Sequence, residues 1–185
     1  MKAKTGDIIL VSGIGLLPRG IQFMMNIYRK RMGLAPRKLY NHVAIVVELW
    51  GTLWIAESSV KGVRVFKYPD DYIRRQDVKV MQFKRPLSEY EQKKFSAVAI
   101  NYSLHPTRYD LANFYYQIIF ILTGQWKGKV NELSREKLYC SEFAAVVMDE
   151  IRDSFKGVTW DKNPLDIEIC EDLEFIFLDP KREKE

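Results

Sequence analysis

An α+β domain, a central antiparallel sheet flanked by helices, is the fold class this sequence predicts. Three observations point to it. Short β-branched runs bounded by turn residues recur between Asp7 and Phe83, and helical patterns with start and stop signals recur beyond Phe83. The chain has 185 residues, which suits one core and would cramp two. Its balance of 47% hydrophobic, 29% charged and 13% aromatic residues excludes collagen-like, low-complexity and wholly disordered classes.

Asp7 to Val11 is a buried strand ending in the turn Ser12-Gly13. From Ile21 to Met32 apolar residues recur at three and four, with Arg29, Lys30 and Arg31 at the C-terminal end, where cations suit the helix dipole, and Gly33 as the stop. Asn41 to Glu48 and Leu53 to Glu57 are strands around a Trp50-Gly51 turn, and Val63 to Phe66 and Val78 to Phe83 are two more. A meandering antiparallel sheet is the expected result. Ser88 and Glu91 have the spacing of a capping box, so a helix starts there and runs until His105-Pro106. Asp110 to Leu122 is a second apolar helix and Gly124 to Lys137 a polar connection. A third helix begins near Cys140 with Phe143, Val146, Val147 and Ile151 as its buried stripe. Glu174 to Leu178 is the last strand, before a solvated tail, Lys181 to Glu185. No linker or repeat divides residues 1–185, so they form one domain.

Composition also limits function. The 29 Lys and Arg against 24 Asp and Glu give a net charge of +5 without any long basic run, which permits an anionic partner and gives no reason to expect nucleic acid. Two Cys and two His are too few for a disulfide scaffold or a structural zinc cage, and no cofactor is called for. The apolar stretch after Asp7 is too short for a secretory signal, and Phe114 to Leu122 is far short of the roughly 20 residues that span a bilayer, so a cytoplasmic protein, or one exported by other means, is expected. Ser12-Gly13-Ile14-Gly15 looks at first like a dinucleotide-binding turn. The third glycine is missing, Pro18 stands in its place, and no acidic ribose ligand lies downstream, so a plain turn is the better reading.

Cys140 should lie in the first turn of an apolar helix, where the positive end of the dipole lowers a thiol pKa and favours the nucleophilic thiolate. A small buried hydrophobe is the bland alternative, and Cys170, with no helix start beside it, keeps that reading. His42 opens a strand whose alternation sets His42, Ala44 and Val46 on one face. A two-residue Trp50-Gly51 turn would pair Leu49 with Thr52 and Ala44 with Glu57, leaving Glu57 diagonal to His42. A three-residue loop would turn Glu57 to the other face. A carboxylate that orients an imidazole is what a Cys-His nucleophile needs as its third member, with Ser59 or Asn41 as substitutes.

Gly6-Asp7-Ile8-Ile9-Leu10, then Asn41-His42-Val43-Ala44-Ile45-Val46, then Glu57, Tyr109-Asp110 and Tyr139-Cys140-Ser141-Glu142-Phe143, in that order, resemble the circularly permuted NlpC-type papain-like cysteine hydrolases, the YiiX-like group. The resemblance runs from Gly6 to about Leu178. It implies a permuted papain-like domain with Cys140 as nucleophile, His42 as general base and Glu57 as orienting residue. An export signal common in that group is absent here and the basic stretch from Arg19 to Arg37 is long, which argues against a cell-wall peptide.

Acyl transfer is the chemistry such a site performs: an amide or ester of a small-molecule, peptide or lipid substrate is attacked by Cys140, and the acyl-enzyme is released to water or, in a lipid-type acyltransferase, to another acceptor. The Cys140 amide would hold part of the oxyanion. Tyr40, Asn41, Tyr109 and Trp126 are the candidate substrate-binding residues, although Tyr109-Asp110 also reads as a helix start capped by Asp110 and Trp126 as surface decoration. The rival class is a non-catalytic basic module for a membrane surface or acidic polymer. In the globular alternative Met24, Met25 and Tyr28 pack on the sheet and the three cations are merely solvated.

Overall fold

The computed structural model describes residues 3–13, 16–35, 40–59, 61–68, 77–105, 115–116, 118–120, 123, 138–156 and 162–176. Its elements are β1 (Ile8–Ser12), α1 (Leu16–Arg31), β2 (His42–Leu49), β3 (Thr52–Ser59), β4 (Gly62–Lys67), β5 (Asp77–Phe83), α2 (Glu89–Leu104), α3 (Cys140–Arg152), α4 (Pro164–Glu168) and β6 (Leu173–Ile176). The α+β architecture expected from the sequence is the one found. Tyr115, Tyr116, Thr123 and residues 118–120 are helical, and the remainder of the 110–122 helix and of the 124–137 connection lies outside the described residues, as does the tail.

The six strands form one antiparallel sheet in the order β4-β3-β2-β1-β5-β6. A simple meander is therefore corrected: β2, β3 and β4 do follow one another, but β5 returns to the far side of β1. The reason is legible in β1 itself. All five of its residues are buried, and a strand that is apolar on both faces belongs at the centre of a sheet, with both edges paired.

One face of the sheet, built by Ile8, Leu10, Val43, Ile45, Val47 and Ala56, packs on α2 and α3 through Phe95, Ala99, Phe143, Ala144, Val147 and Met148. Two edge-on ring pairs knit this layer, Phe83 with Phe95 and Tyr102 with Phe143, at centroid distances of 6.3 and 6.1 Å. The opposite face carries a second buried cluster, Ile9, Val11, Ala44, Val46, Ile55 and Val80. Alternation thus assigns His42 to the second cluster's side and Cys140 to a helix on the first.

Local signals set the ends of the helices. At the start of α2 Ser88 and Glu91 satisfy each other's amides, at 2.7 and 3.3 Å, and at its end His105 is extended because Pro106 comes next. Gly33 closes α1 with φ +74° while the Leu34 amide donates to the Arg29 carbonyl and the Gly33 amide to that of Lys30, a Schellman ending that needs a left-handed residue. Two expectations for α1 are corrected. Met25 packs with Leu165 of α4, a short helix capped by Asn163, in a cluster that contains no strand residue. Arg29 is buried, its Nε donating to the Ala35 carbonyl at 3.0 Å, because the Schellman turn folds the chain back over it; only Lys30 and Arg31 of the three cations are exposed.

Candidate active site

The β2–β3 hairpin turns through Trp50 (φ +50°) and Gly51 (φ +71°), two left-handed residues that make the tight turn matching strand twist. Leu49 therefore opposes Thr52 and Ile45 opposes Ala56, the last pair of this ladder, and continuing the same count sets Glu57 on the face of Ala44 and His42. Glu57 lies diagonal to His42, and its Oε2 is 2.7 Å from the ring Nε2. The other carboxylate oxygen, Oε1, accepts from Arg64 Nε at 2.8 Å and also from Arg64 Nη2. Arg64 stands directly opposite Glu57 on β4 and stacks on Phe66.

Beyond Ile45 and Ala56 the β2–β3 pairing stops, although β2 begins at His42 and β3 continues to Ser59. Each strand pairs there with its other neighbour, His42 with Val11 and residues 57–59 with β4. The chain entering α3 fills the interval. Ser58 Oγ donates to the Leu138 carbonyl at 2.6 Å, and the Val43 amide donates to the Cys140 sulfur. This gap brings a thiol from the helical layer to an imidazole that alternation assigns to the other face.

Cys140 is the first residue of α3, with extended Tyr139 as N-cap and the Glu142 carboxylate accepting from the Tyr139 amide at 3.4 Å. Ser141, fully buried, donates its hydroxyl to the Lys162 carbonyl at 2.8 Å and so ties the helix start to the segment before α4. The sulfur accepts from the Ser141 and Val43 amides and is a hydrogen-bond partner of His42. Burial opposes ionisation of the thiol, but the His42 charge and these hydrogen bonds outweigh it and hold its pKa below the ordinary value. For His42 burial likewise disfavours charge, and the Cys140 and Glu57 charges and hydrogen bonds outweigh it, raising its pKa well above the usual range. The pair favours thiolate and imidazolium together. Cys170 is the contrast, its pKa pushed up by burial and by the neighbouring acids Asp172 and Glu171.

Cys140, His42 and Glu57 thus come together. Asn41 instead braces the end of β1, its Oδ1 accepting from the Gly13 amide at 3.0 Å, and Tyr40 packs, half-buried, against the main core. Ser59 holds the β3–β4 turn through the Gly62 carbonyl and Lys61 amide. Tyr109, Asp110 and Trp126 lie outside the described residues. Arg64 was not foreseen, yet Ser59 opposing Gly62 is a second two-residue hairpin, and the same register counting places Arg64 across from Glu57. Among the described residues no group of three or more His, Cys, Asp or Glu is arranged to hold a metal ion, and no helix is long and apolar enough to cross a membrane.

No family model matches this sequence, and no curated protein matches it. In fold it is similar to the crystal structure of the metalloprotein YiiX from Escherichia coli O157:H7, with a TM-score of 0.61 and 15% identity over 95% of this chain and 97% of that one. The chain is an α+β protein of YiiX-like fold.

Proposed function

We propose that this protein is a cysteine hydrolase of the circularly permuted, NlpC-type papain-like kind, acting on an amide or ester through an acyl-enzyme at Cys140. The observation that carries the reading is one chain of contacts: a thiol at a helix N-terminus, hydrogen-bonded to an imidazole whose Nε2 lies 2.7 Å from a buried carboxylate. The YiiX-like fold supports it, with the His strand preceding the Cys helix.

The thiolate attacks the substrate carbonyl carbon, forming a C–S bond while the carbonyl π electrons move to oxygen. The Cys140 amide at the start of α3 faces the developing oxyanion with the positive end of the helix dipole behind it. Collapse breaks the bond to the leaving amine or alcohol, which takes its proton from the His42 imidazolium. His42, now neutral, removes a proton from water as the hydroxide adds to the thioester; collapse breaks the C–S bond, the acid departs, and the thiolate and imidazolium are restored. Glu57 holds the ring in the orientation that directs its other nitrogen at sulfur, and stabilises its charge. An alcohol or amine in place of water would make the same acyl-enzyme an acyltransferase.

The structural neighbour is described as a metalloprotein, and the donor set here does not fit a resident metal. Glu57 has both oxygens committed, one to His42 and one to the Arg64 guanidinium, and the imidazole lies between the thiol and the carboxylate, so the three cannot converge on one ion.

The test is a panel of activated esters and amides with the wild type and Cys140→Ala, read by product release and by intact mass. Turnover or a trapped acyl adduct that Cys140→Ala lacks supports the reading. Neither product nor adduct with any substrate overturns it.

A further inference from the structure

Met25 marks the buried side of α1, where it packs with Leu165, Ile21 and Tyr28. At about 100° per residue Phe23 is about 200° from Met25, so it occupies the middle of the opposite side. It is 67% exposed there. Arg19 lies one turn before it and Lys30 two turns after it on the same side, with Arg31 beside Lys30, and all three are exposed. Either side of Gly33, Met32 and Leu34 are also exposed, at 44% and 38%. From Ile8 to Val47 the sequence contains six Lys and Arg and no Asp or Glu.

An exposed Phe alone is ordinary, and so is a solvated cation. Their joint placement is informative. An aromatic ring centred on the solvent side of a helix, with cations a turn or two away along the same stripe and no acid in the helix itself, has the chemistry of a bilayer interface. The ring enters the acyl boundary while the cations meet anionic headgroups. An acidic polymer would engage the cations and leave Phe23 in water, so it satisfies half of the surface.

We infer that α1 is a docking helix for an anionic lipid bilayer, lying in the interface with Phe23 inserted and Arg19, Lys30 and Arg31 on the headgroups. One short helix with few inserting residues binds weakly and reversibly, and screening by salt weakens it further. Gln22 Nε2 bonds Ser12 Oγ at 2.8 Å at the end of β1, one residue past the Val11–His42 pair, so the docked helix is anchored beside the candidate site. The inference does not depend on catalysis, because membrane binding is measured without turnover.

The experiment is co-sedimentation of the full chain with vesicles of phosphatidylcholine alone and of phosphatidylcholine mixed with phosphatidylserine. Binding to the mixed vesicles at low salt, little to the neutral ones, and a several-fold loss at physiological salt are expected. Phe23→Ser and the double variant Lys30→Gln/Arg31→Gln should each weaken binding roughly fivefold or more. Tyr90→Ser, which removes a ring 75% exposed on α2, should not. No binding to either vesicle overturns the inference, as does an equal loss in Tyr90→Ser. Binding to heparin that exceeds vesicle binding and is unchanged by Phe23→Ser overturns it in favour of an acidic polymer.

Discussion

Glu57 Oε2 and His42 Nε2 are 2.7 Å apart across a hairpin whose register is set by two left-handed residues, Trp50 and Gly51. Glu57 is 4% exposed, and a carboxylate so placed must be paired or protonated. Burial pushes its pKa up, yet the hydrogen bond and charge of His42, together with those of Arg64, bring it below the ordinary value. Glu57 is therefore ionised in the folded protein near neutral pH, with a partner on each oxygen. One partner carries the proton chemistry and the other fixes the carboxylate.

Glu57→Gln should keep the fold and cut turnover by roughly a hundredfold or more, the loss seen when the orienting acid of comparable triads is neutralised. The amide can still meet the ring but cannot stabilise its charge. Steady-state rates on whichever ester or amide the wild type turns over would measure this, with thermal midpoints reporting the fold. Undiminished kcat in a folded Glu57→Gln variant would make the carboxylate a bystander.

Arg64→Gln tests the other oxygen. The Arg64 side chain is 52% exposed, and pairs of that kind are worth up to about 1 kcal/mol, so a loss in kcat of roughly fivefold is expected, with Arg64→Lys restoring part of it. The pH profile should also move. A carboxylate whose folded pKa lies below its unfolded value contributes stability above the unfolded pKa and loses it as pH falls through the folded one. Removing Arg64 takes away one of the lowering influences, so the acid limb of activity and stability should begin at higher pH. An unchanged acid limb would confine Arg64 to surface decoration.

Cys140 should alkylate with iodoacetamide faster than Cys170 at neutral pH, because His42 and two backbone amides lower the pKa of the first while burial raises that of the second. As pH rises, Cys140 labelling should level off below the ordinary thiol range, and His42→Ala should shift that plateau upward and slow the reaction. Peptide mapping after partial labelling separates the two sites. Equal rates in the folded protein would remove the nucleophile assignment.

What the sequence disclosed was mostly local. The Ser88–Glu91 box, the Gly33 stop, the Cys140 helix start and the Trp50-Gly51 hairpin each depend on neighbouring residues, and each is present in the structure. The central position of β1 between β2 and β5 was missed because strand order is decided by long-range burial, although the all-apolar run Ile8 to Val11 carried a hint. Met25 seating on Leu165 was not legible either, since Pro164 to Glu168 is too short for a helical period to show. The gap through which Cys140 reaches His42 rests on Ser58 and Leu138, eighty positions apart, and no spacing rule anticipates it. Arg29 was misjudged for a related reason: charge suggests solvent, whereas its backbone turn encloses it.

Asp7 offers a prediction about stability at the end of β1 remote from His42. Its Oδ1 accepts from Gln82 Nε2 at 2.7 Å and its Oδ2 from the Lys4 amide at 2.9 Å, where the chain bends through Gly6 at φ +91°. Burial outweighs these bonds and raises its pKa to about 6. The folded protein then holds this proton more tightly than the unfolded chain does, so stability should fall as pH rises from about 4 to about 6 and stay lower above that, by up to about 3 kcal/mol. Asp7→Asn removes the charge, and the Gln82 amide can turn to offer its oxygen to the new amide group. The variant should therefore be more stable than wild type at pH 7, nearly equal to it near pH 4, and flatter across the interval. Urea unfolding at a series of pH values measures all three. A variant less stable than wild type at every pH would show that the Asp7 carboxylate stabilises the bend even when charged.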